Sequence, residues 1–149
     1  MSTTPEIAPW PLVRKDDEGH PVTTLEYLLR GQGHRVLVDG KFGAATEETV
    51  RAFQESKRLG VDGVVGPKTW AALIVQVKRG SRGDAVRGVQ EEFNFRQLSG
   101  GSIGLTVDGI FGADTDRAVR AFQEALGLGV DGIVGPLTWR ALVSGMQSF

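Results

Sequence analysis

The sequence of 149 residues contains no cysteine, only two histidines and one tyrosine, and no apolar run of about 18 residues. Without cysteine, the chain cannot form disulfides, thiolate metal sites or a cysteine nucleophile. The lack of a long apolar run predicts no transmembrane helix. A formal net charge of -1 without a basic stripe removes the electrostatic case for nucleic-acid binding. We therefore expect neither a membrane nor a nucleic acid as a partner.

The start of the chain, MSTTPEIAPWPLVRKDDEG, lacks both the basic region and the apolar region of a Sec-type signal peptide. We therefore expect a protein that stays in the cytoplasm until lysis, leaves by a specialised route, or has lost its leader. With 40% hydrophobic and 23% charged residues, the composition is that of a soluble globular protein. The length suffices for one domain or two small ones.

One nonapeptide pattern, V-D-G-x-[FV]-G-x-x-T, occurs four times, and we name the copies L1 (38–46), L2 (61–69), L3 (107–115) and L4 (130–138). Adding 69 to each position from Val38 to Ile74 gives 25 identities in 37 positions. Upstream the offset falls to 64, because the second copy has five extra residues in the Gly/Ser-rich stretch FRQLSGGSIG. The chain is thus a tandem duplication, and we assign a flexible N-terminal segment (1–9), a first repeat (10–76) and a second repeat (77–149).

Each repeat shows three helical patterns separated by glycines. In the first repeat, one apolar stripe predicts a helix over 21–31. A second helix begins after Gly43 and ends near Gly60, which we expect to be its left-handed cap. A third begins at Pro67, with Gly66 as its N-cap. These patterns predict an all-α fold of two tandem three-helix bundles joined by a very short linker, with a β-hairpin around each Asp-Gly as the alternative.

The recurring nonapeptide is typical of a loop that starts a helix. Its Asp-Gly pair predicts a tight turn in which the aspartate bonds nearby backbone N–H groups and the glycine takes a positive φ. The apolar residue at the fifth position is expected in the core, and the glycine after it opens the helix. Two such loops in each repeat explain why the copies lie 23 residues apart both times.

Two longer stretches carry a family resemblance. VKRGSRGDAVRGVQ followed by VDGIFGADTDRAVRAFQEALGLGVDGIVGPLTWRAL resembles the peptidoglycan-binding-like domain, a three-helix module found beside bacterial and phage cell-wall hydrolases. The resemblance covers 77–143 and 36–73. The first repeat departs from the pattern at its start, where LVRKDDEGHPVTTLEYLL replaces the usual basic opening.

The resemblance implies noncatalytic binding of peptidoglycan, through its glycan or its stem peptide, and a place in the cell wall or outside the cell. It also implies a role in targeting or anchoring a wall hydrolase or a delivery machine. We expect a monomer with no cofactor and no metal site. A protein–protein assembly module is the alternative function, and a stand-alone wall hydrolase is a third.

The residues themselves show no convincing catalytic set. His20 and His34 lie outside any metal-ligand spacing, and we expect both to be exposed. The acidic pairs Asp16-Asp17, Glu47-Glu48 and Glu91-Glu92 are adjacent in sequence, so they do not flank a substrate as glycosidase acids do. We interpret these pairs as solvated faces, and we expect no enzymatic activity.

The candidate ligand contacts lie on the polar edge between the nonapeptide loop and the second helix of each repeat. A glutamine could donate to an acetamido group or bond a loop backbone, and a tryptophan could stack on a sugar or fill the core. The aspartates are interpreted first as turn formers, and the arginines as members of i,i+4 ladders. The candidates are Arg51, Gln54, Asp62 and Trp70 in the first repeat and Arg120, Gln123, Asp131 and Trp139 in the second.

Overall fold

A computed structural model describes residues 6–97 and 104–146 of the chain. Six helices follow one another: α1 (His20–Gly31), α2 (Ala44–Ser56), α3 (Pro67–Leu73), α4 (Asp84–Gln97), α5 (Ala113–Ala125) and α6 (Pro136–Val143). The alternative is a β-hairpin around each Asp-Gly. Within the described residues, β-structure is instead limited to four isolated antiparallel bridges. The predicted all-α fold of two tandem three-helix repeats is therefore confirmed.

The helix starts follow from local sequence. The second and third helix of each repeat begin after a glycine N-cap in an extended conformation, and α3 and α6 carry proline in their first turn. Proline is suited to that position because the first N–H groups of a helix have no helical partner. The Asp-Gly glycines of L1 to L4 all have φ between 72° and 74°, as the predicted turn requires. These glycines are Gly40, Gly63, Gly109 and Gly132.

The end of α2 differs from the prediction. The helix ends at Ser56, and the left-handed residue is Arg58 (φ 57°) rather than Gly60. The equivalent position in the second repeat is Gly127, with φ 73°. A left-handed backbone favours glycine because it has no Cβ, so the first repeat carries a mild strain at Arg58 that the second avoids.

Buried apolar side chains form one cluster that runs through both repeats. Trp70 and Trp139 are completely buried. The inward-facing valine and phenylalanine of each second helix are at most 2% exposed. Trp10 stacks on Trp70 with ring centroids 5.8 Å apart. Burying aromatic side chains of this size contributes several kcal/mol each, so the tryptophans anchor the bundles.

The two repeats meet mainly through their first helices. Helix α1 packs along α4 more extensively than along α2 or α3. The helices run antiparallel, since His20 at the start of α1 meets Glu92 late in α4, and Arg30 meets Asp84 at the start of α4. At the crossing, Gly88 lies directly against Thr24, the residue equivalent to it in the first repeat. The interface is therefore a pseudo-symmetric contact between equivalent surfaces.

A buried polar network crosses this interface. Glu92 is fully buried and accepts hydrogen bonds from Thr24 Oγ1 at 2.6 Å and Arg96 Nη1 at 3.0 Å, with His20 Nδ1 2.8 Å from its Oε1. His20 also stacks on Phe95 with centroids 4.0 Å apart. The expectations of a solvated Glu92 and an exposed His20 are therefore wrong, because each finds its partner on the other repeat.

The segment expected to be flexible (1–9) lies partly outside the described residues. Within its described part Ile7 is buried, and its carbonyl oxygen lies 3.5 Å from Arg140 Nη2. The N–H of Ala8 points to the sulfur of Met146, also at 3.5 Å. Residues 7 and 8 therefore contact the second repeat.

Candidate functional site

The polar edge predicted in each repeat is organised by one buried glutamine. Gln54 on α2 is 1% exposed, and its Nε2 donates to Asp62 Oδ1 at 2.9 Å, Val64 O at 3.0 Å and Thr69 Oγ1 at 3.1 Å. Its Oε1 accepts the backbone N–H groups of Asp62 and Gly63. The side-chain amide of Gln54 therefore acts as both donor and acceptor toward L2, and its bond to Thr69 connects α2 to the start of α3.

The second repeat reproduces these contacts. Gln123 donates to Asp131 Oδ1, Ile133 O and Thr138 Oγ1 at 3.0 to 3.2 Å, and it accepts from the N–H groups of Asp131 and Gly132. Because every polar atom of these two amides is used inside the fold, the glutamines hold L2 and L4 in shape. A contact to ligand would require breaking those bonds.

Loops L1 and L3 are held in the same way by the first helix of each repeat. Gln90 on α4 donates to Asp108 Oδ1, Ile110 O and Thr115 Oγ1, and its Oε1 accepts the N–H of Gly109. Sequence reasoning missed Gln90, although the 64-residue offset pairs it with a polar residue of α1. That partner is Glu26.

Glu26 holds L1 with a carboxyl group instead of an amide. It is fully buried, and it accepts from the N–H groups of Asp39 and Gly40 and from Thr46 Oγ1 at 2.9 to 3.1 Å. Burial raises the pKa of Glu26 to about 7, with a smaller contribution from the Asp39 carboxylate, against the lowering effect of those three hydrogen bonds. A charged Glu26 has no proton to offer Asp39 Oδ1 or the carbonyl of Lys41, which are the acceptors that the amides use in the other loops.

The four aspartates are turn formers, as interpreted from the sequence. In each loop the first carboxylate oxygen accepts the backbone N–H two residues on, at 2.9 to 3.0 Å. Those hydrogen bonds lower the pKa of Asp62, Asp108 and Asp131, with the glutamine amide adding to the effect. Asp62 and Asp131 keep their other side exposed to solvent.

The two candidate arginines lie beside these aspartates. Arg51 is exposed, and its Nε would lie 3.0 Å from a side chain added at Gly63. Arg120 Nε lies 3.1 Å from Asp116 Oδ1 in the predicted i,i+4 ladder, and its Nη2 donates to Asp131 O at 3.3 Å. We define the L2 edge as Arg51 with Asp62, and the L4 edge as Arg120 with Asp131.

The tryptophans lie inside the bundles. Trp70 Nε1 donates to Pro11 O at 2.8 Å, and Trp139 Nε1 donates to Val75 O at 2.7 Å. Neither ring is exposed. The structure therefore brings together the arginine, glutamine and aspartate of each candidate set, and it places the tryptophan in the core behind them.

The structure also contains a cleft that sequence reasoning missed. It has a volume of about 260 Å³ and lies at the end of α1, where it is lined by Arg30, Gly33, His34, Arg35 and Val36. No local motif marks it, because the concave shape arises only where the chain turns back from α1 toward L1.

In 6–97 and 104–146, no three or more histidine, aspartate or glutamate side chains come close enough together to hold a metal ion. No helix in these ranges is long and apolar enough to cross a membrane.

Comparisons with known proteins agree with the duplicated architecture. The family model described as "Putative peptidoglycan binding domain" matches twice, over 18–73 and 82–142. A curated relative, the "Uncharacterized protein in bpoA1 3'region" of Kitasatospora aureofaciens, is 50% identical over 73 residues. That match covers 48% of this chain and 62% of the relative, so the chain spans less than two thirds of its length.

Similar solved structures include a peptidoglycan-binding protein from Clostridioides difficile in complex with glutamine hydroxamate, at 35% identity and a TM-score of 0.42, covering 42% of this chain and 40% of that one. A Burkholderia AP3 phage endolysin is 34% identical with a TM-score of 0.43, covering 58% and 33%. Because the family model matches both repeats and more than half of the chain, the chain belongs to the peptidoglycan-binding domain family.

Proposed function

We propose that this chain is a noncatalytic module that binds bacterial peptidoglycan through both repeats and targets itself, or a protein joined to it, to the cell wall. The observation that carries the proposal is the double match to the peptidoglycan-binding domain family. The partner to be delivered would be a wall hydrolase or a delivery machine. The proposed place of action is the wall.

We place the ligand contacts on the L2 edge and the L4 edge. Arg51, Asp62, Arg120 and Asp131 are exposed, and together they offer guanidinium donors and carboxylate acceptors to a sugar or a peptide. Gln54 and Gln123 shape these edges through their bonds to the loops, and Trp70 and Trp139 support them from the core. The role of these four buried residues is thus to position the exposed ones.

Two equivalent edges suit a polymer. When one chain engages two sites on the same polymer, the apparent affinity rises by roughly 10²- to 10⁴-fold without any new contact. Peptidoglycan is a repeating polymer, so two weak sites would suffice for stable wall binding. Because α1 and α4 bury each other across the interface, substitutions at one edge of the full chain are a cleaner test than truncation.

The test is co-sedimentation with purified insoluble peptidoglycan, with Arg51→Ala/Arg120→Ala as the test variant. Arg14→Ala/Arg79→Ala is the control, since both of those arginines are exposed and the change in charge is the same. We expect the wild type and the control to pellet with the wall and the test variant to remain largely in solution. If the folded wild type stays in the supernatant with several wall types, the proposal fails, and capture of a single protein partner would favour an assembly module.

A further inference from the structure

The cleft at the end of α1 gathers cationic side chains at a concave site. Arg35 is exposed, and its guanidinium makes no hydrogen bond or ion pair with the described residues. Arg30 is 45% exposed, and its Nε lies 3.6 Å from Asp84 Oδ2. Asp84 also contacts Arg87 at 2.9 Å, which is the shorter of its two ion pairs. Arg30 is therefore only partly neutralised.

His34 also lines the cleft. Its ring packs edge-on against Phe53, with centroids 5.5 Å apart and an interplanar angle of 77°. This contact holds the imidazole in one orientation at the margin of the cleft. The backbone N–H groups of residues 32 to 34 are used by carbonyls of α1. The guanidinium groups of Arg30 and Arg35 remain as side-chain donors at the cleft.

The charges around the cleft favour an anion. The carboxyl end of a helix carries about half a negative charge, which by itself disfavours an anion at the end of α1. Two guanidinium groups provide a larger positive charge, and arginine matches the planar geometry of a carboxylate with two parallel hydrogen bonds. The two guanidinium groups that line the cleft therefore favour a small anionic group such as a carboxylate over an apolar ring.

The second repeat has different side chains at the equivalent positions. Asn94 stands where the first repeat has Arg30, and it bridges to Leu105, the equivalent of Val36: its Nδ2 donates to Leu105 O at 2.8 Å, and its Oδ1 accepts the N–H at 2.7 Å. Gly104 stands where the first repeat has Arg35. The two guanidinium groups are therefore specific to the first repeat.

We propose that the cleft formed by Arg30, His34 and Arg35 binds a free carboxylate of a peptidoglycan stem peptide, which would make the first repeat a peptide reader and leave the second without this subsite. The inference rests on the proposed function, since it takes peptidoglycan as the ligand. Stem peptides carry carboxylates, whereas N-acetylglucosamine, one of the two sugars of the glycan, carries none. The cleft would thus add peptide recognition to the two edges.

The experiment is an NMR titration of the full ¹⁵N-labelled chain with a soluble stem peptide that has free carboxylates, and with the same peptide fully amidated. We expect shifts of the Gly33, His34 and Arg35 amide signals with the free acid, and at least tenfold weaker binding of the amidated peptide. Arg35→Ala should weaken binding of the free acid about tenfold, since a charge-assisted contact is lost. Arg14→Ala is the matched control and should leave the affinity for the free acid unchanged.

A second arm uses inorganic phosphate. If phosphate shifts the same signals at the same concentration as the peptide, the site is a general anion site and the peptide assignment is overturned. Shifts that occur elsewhere, or an affinity for the free acid that Arg35→Ala leaves unchanged, also overturn it. Wild-type protein that sediments with peptidoglycan but shows no peptide shift at the cleft contradicts this inference alone. A failure of the wild type to sediment contradicts the proposed function itself.

Discussion

The two repeats share one order of helices and loops but differ in side chain at several equivalent positions, and those differences show what each position does. Gln90 in α4 offers L3 both a donor and an acceptor, whereas Glu26 in α1 offers L1 a carboxyl group. Leu28 of α1 corresponds to Glu92, and Gln32 corresponds to Arg96. Contacts that both repeats make therefore identify interactions that the fold requires. Contacts that one repeat makes identify interactions that this repeat has gained.

The capping of the third helix illustrates the shared part. Gln32 donates to the carbonyls of Ala72 and Leu73 at the end of α3, and Arg96 donates to those of Ala141 and Leu142 at the end of α6. The last carbonyls of a helix lack helical partners. The duplication has thus kept the function of this position while changing its chemistry.

The largest effect is expected from Glu92→Leu, which installs the residue of the first repeat. It would leave Arg96 buried without its carboxylate, and breaking a buried pair by removing one partner costs about 3 kcal/mol. Chemical denaturation should show this loss. Glu91→Leu, the neighbouring carboxylate, is the control, with an expected change within about 0.5 kcal/mol.

The double variant Glu92→Leu/Arg96→Gln sharpens the same comparison, since it installs both residues of the first repeat. We expect it to recover most of the stability lost in Glu92→Leu, because it removes both members of the buried Glu92–Arg96 pair. Equal stability of Glu92→Leu and Glu91→Leu would show that the network contributes nothing to the interface.

A smaller effect is expected from pH at L1. The pKa of Glu26 in the folded protein, about 7, lies above its ordinary value of 4.5, so folding favours the protonated form. That stabilisation is complete below about pH 4.5 and is lost as the pH rises through 7. Relative to Glu26→Gln, the wild type should lose about 2 kcal/mol of unfolding free energy between pH 5.5 and pH 8.

The charged side chains near Glu26 agree with its raised pKa. Asp39 is the charged side chain that acts on it from L1, and α2 contributes the hydroxyl of Thr46. On the other side of α1, the charges of α4 act on Tyr27 instead.

Gln90→Glu is the matched variant, and it should give L3 the pH dependence of L1. A parallel pH profile for wild type and Glu26→Gln would contradict the account.

The smallest effect is expected from Arg58→Gly, which gives the first repeat the glycine of the second. Removing the side chain from a left-handed residue should raise the free energy of unfolding by roughly 0.5 to 1 kcal/mol. Thermal unfolding measures it, with Lys57→Gly, whose φ is negative, as the control that should be destabilised. A loss of stability in Arg58→Gly would mean that its side chain makes a compensating contact.

The local features of the fold could be predicted from sequence because their causes are local. Asp-Gly sets the turn, Gly66 and Pro67 start a helix, and the spacing of Trp70 from Leu73 places both on the buried face. Gln54 could not be assigned in the same way, since an amide suits a ligand or a loop equally well. Only the positions of Val64 O and Thr69 Oγ1 decide between them.

The remaining features depend on contacts between residues far apart in sequence. His20 and Glu92 are separated by 72 positions, and nothing near either residue indicates its partner. Arg58 was missed because the nearby Gly60 is the more favourable residue for a left-handed turn. Glu26 could have been found, since the 64-residue offset aligns it with Gln90 and the loops they hold are copies of each other.

Binding by both repeats is the central claim, and it is tested most directly by comparing Arg51→Ala with Arg120→Ala, each alone, in peptidoglycan binding isotherms. We expect each substitution to weaken wall binding by at least tenfold, because either one reduces the chain to a single edge and removes the gain from engaging two sites. If one substitution abolishes binding while the other leaves the isotherm unchanged, only one repeat binds the wall, and the claim is contradicted.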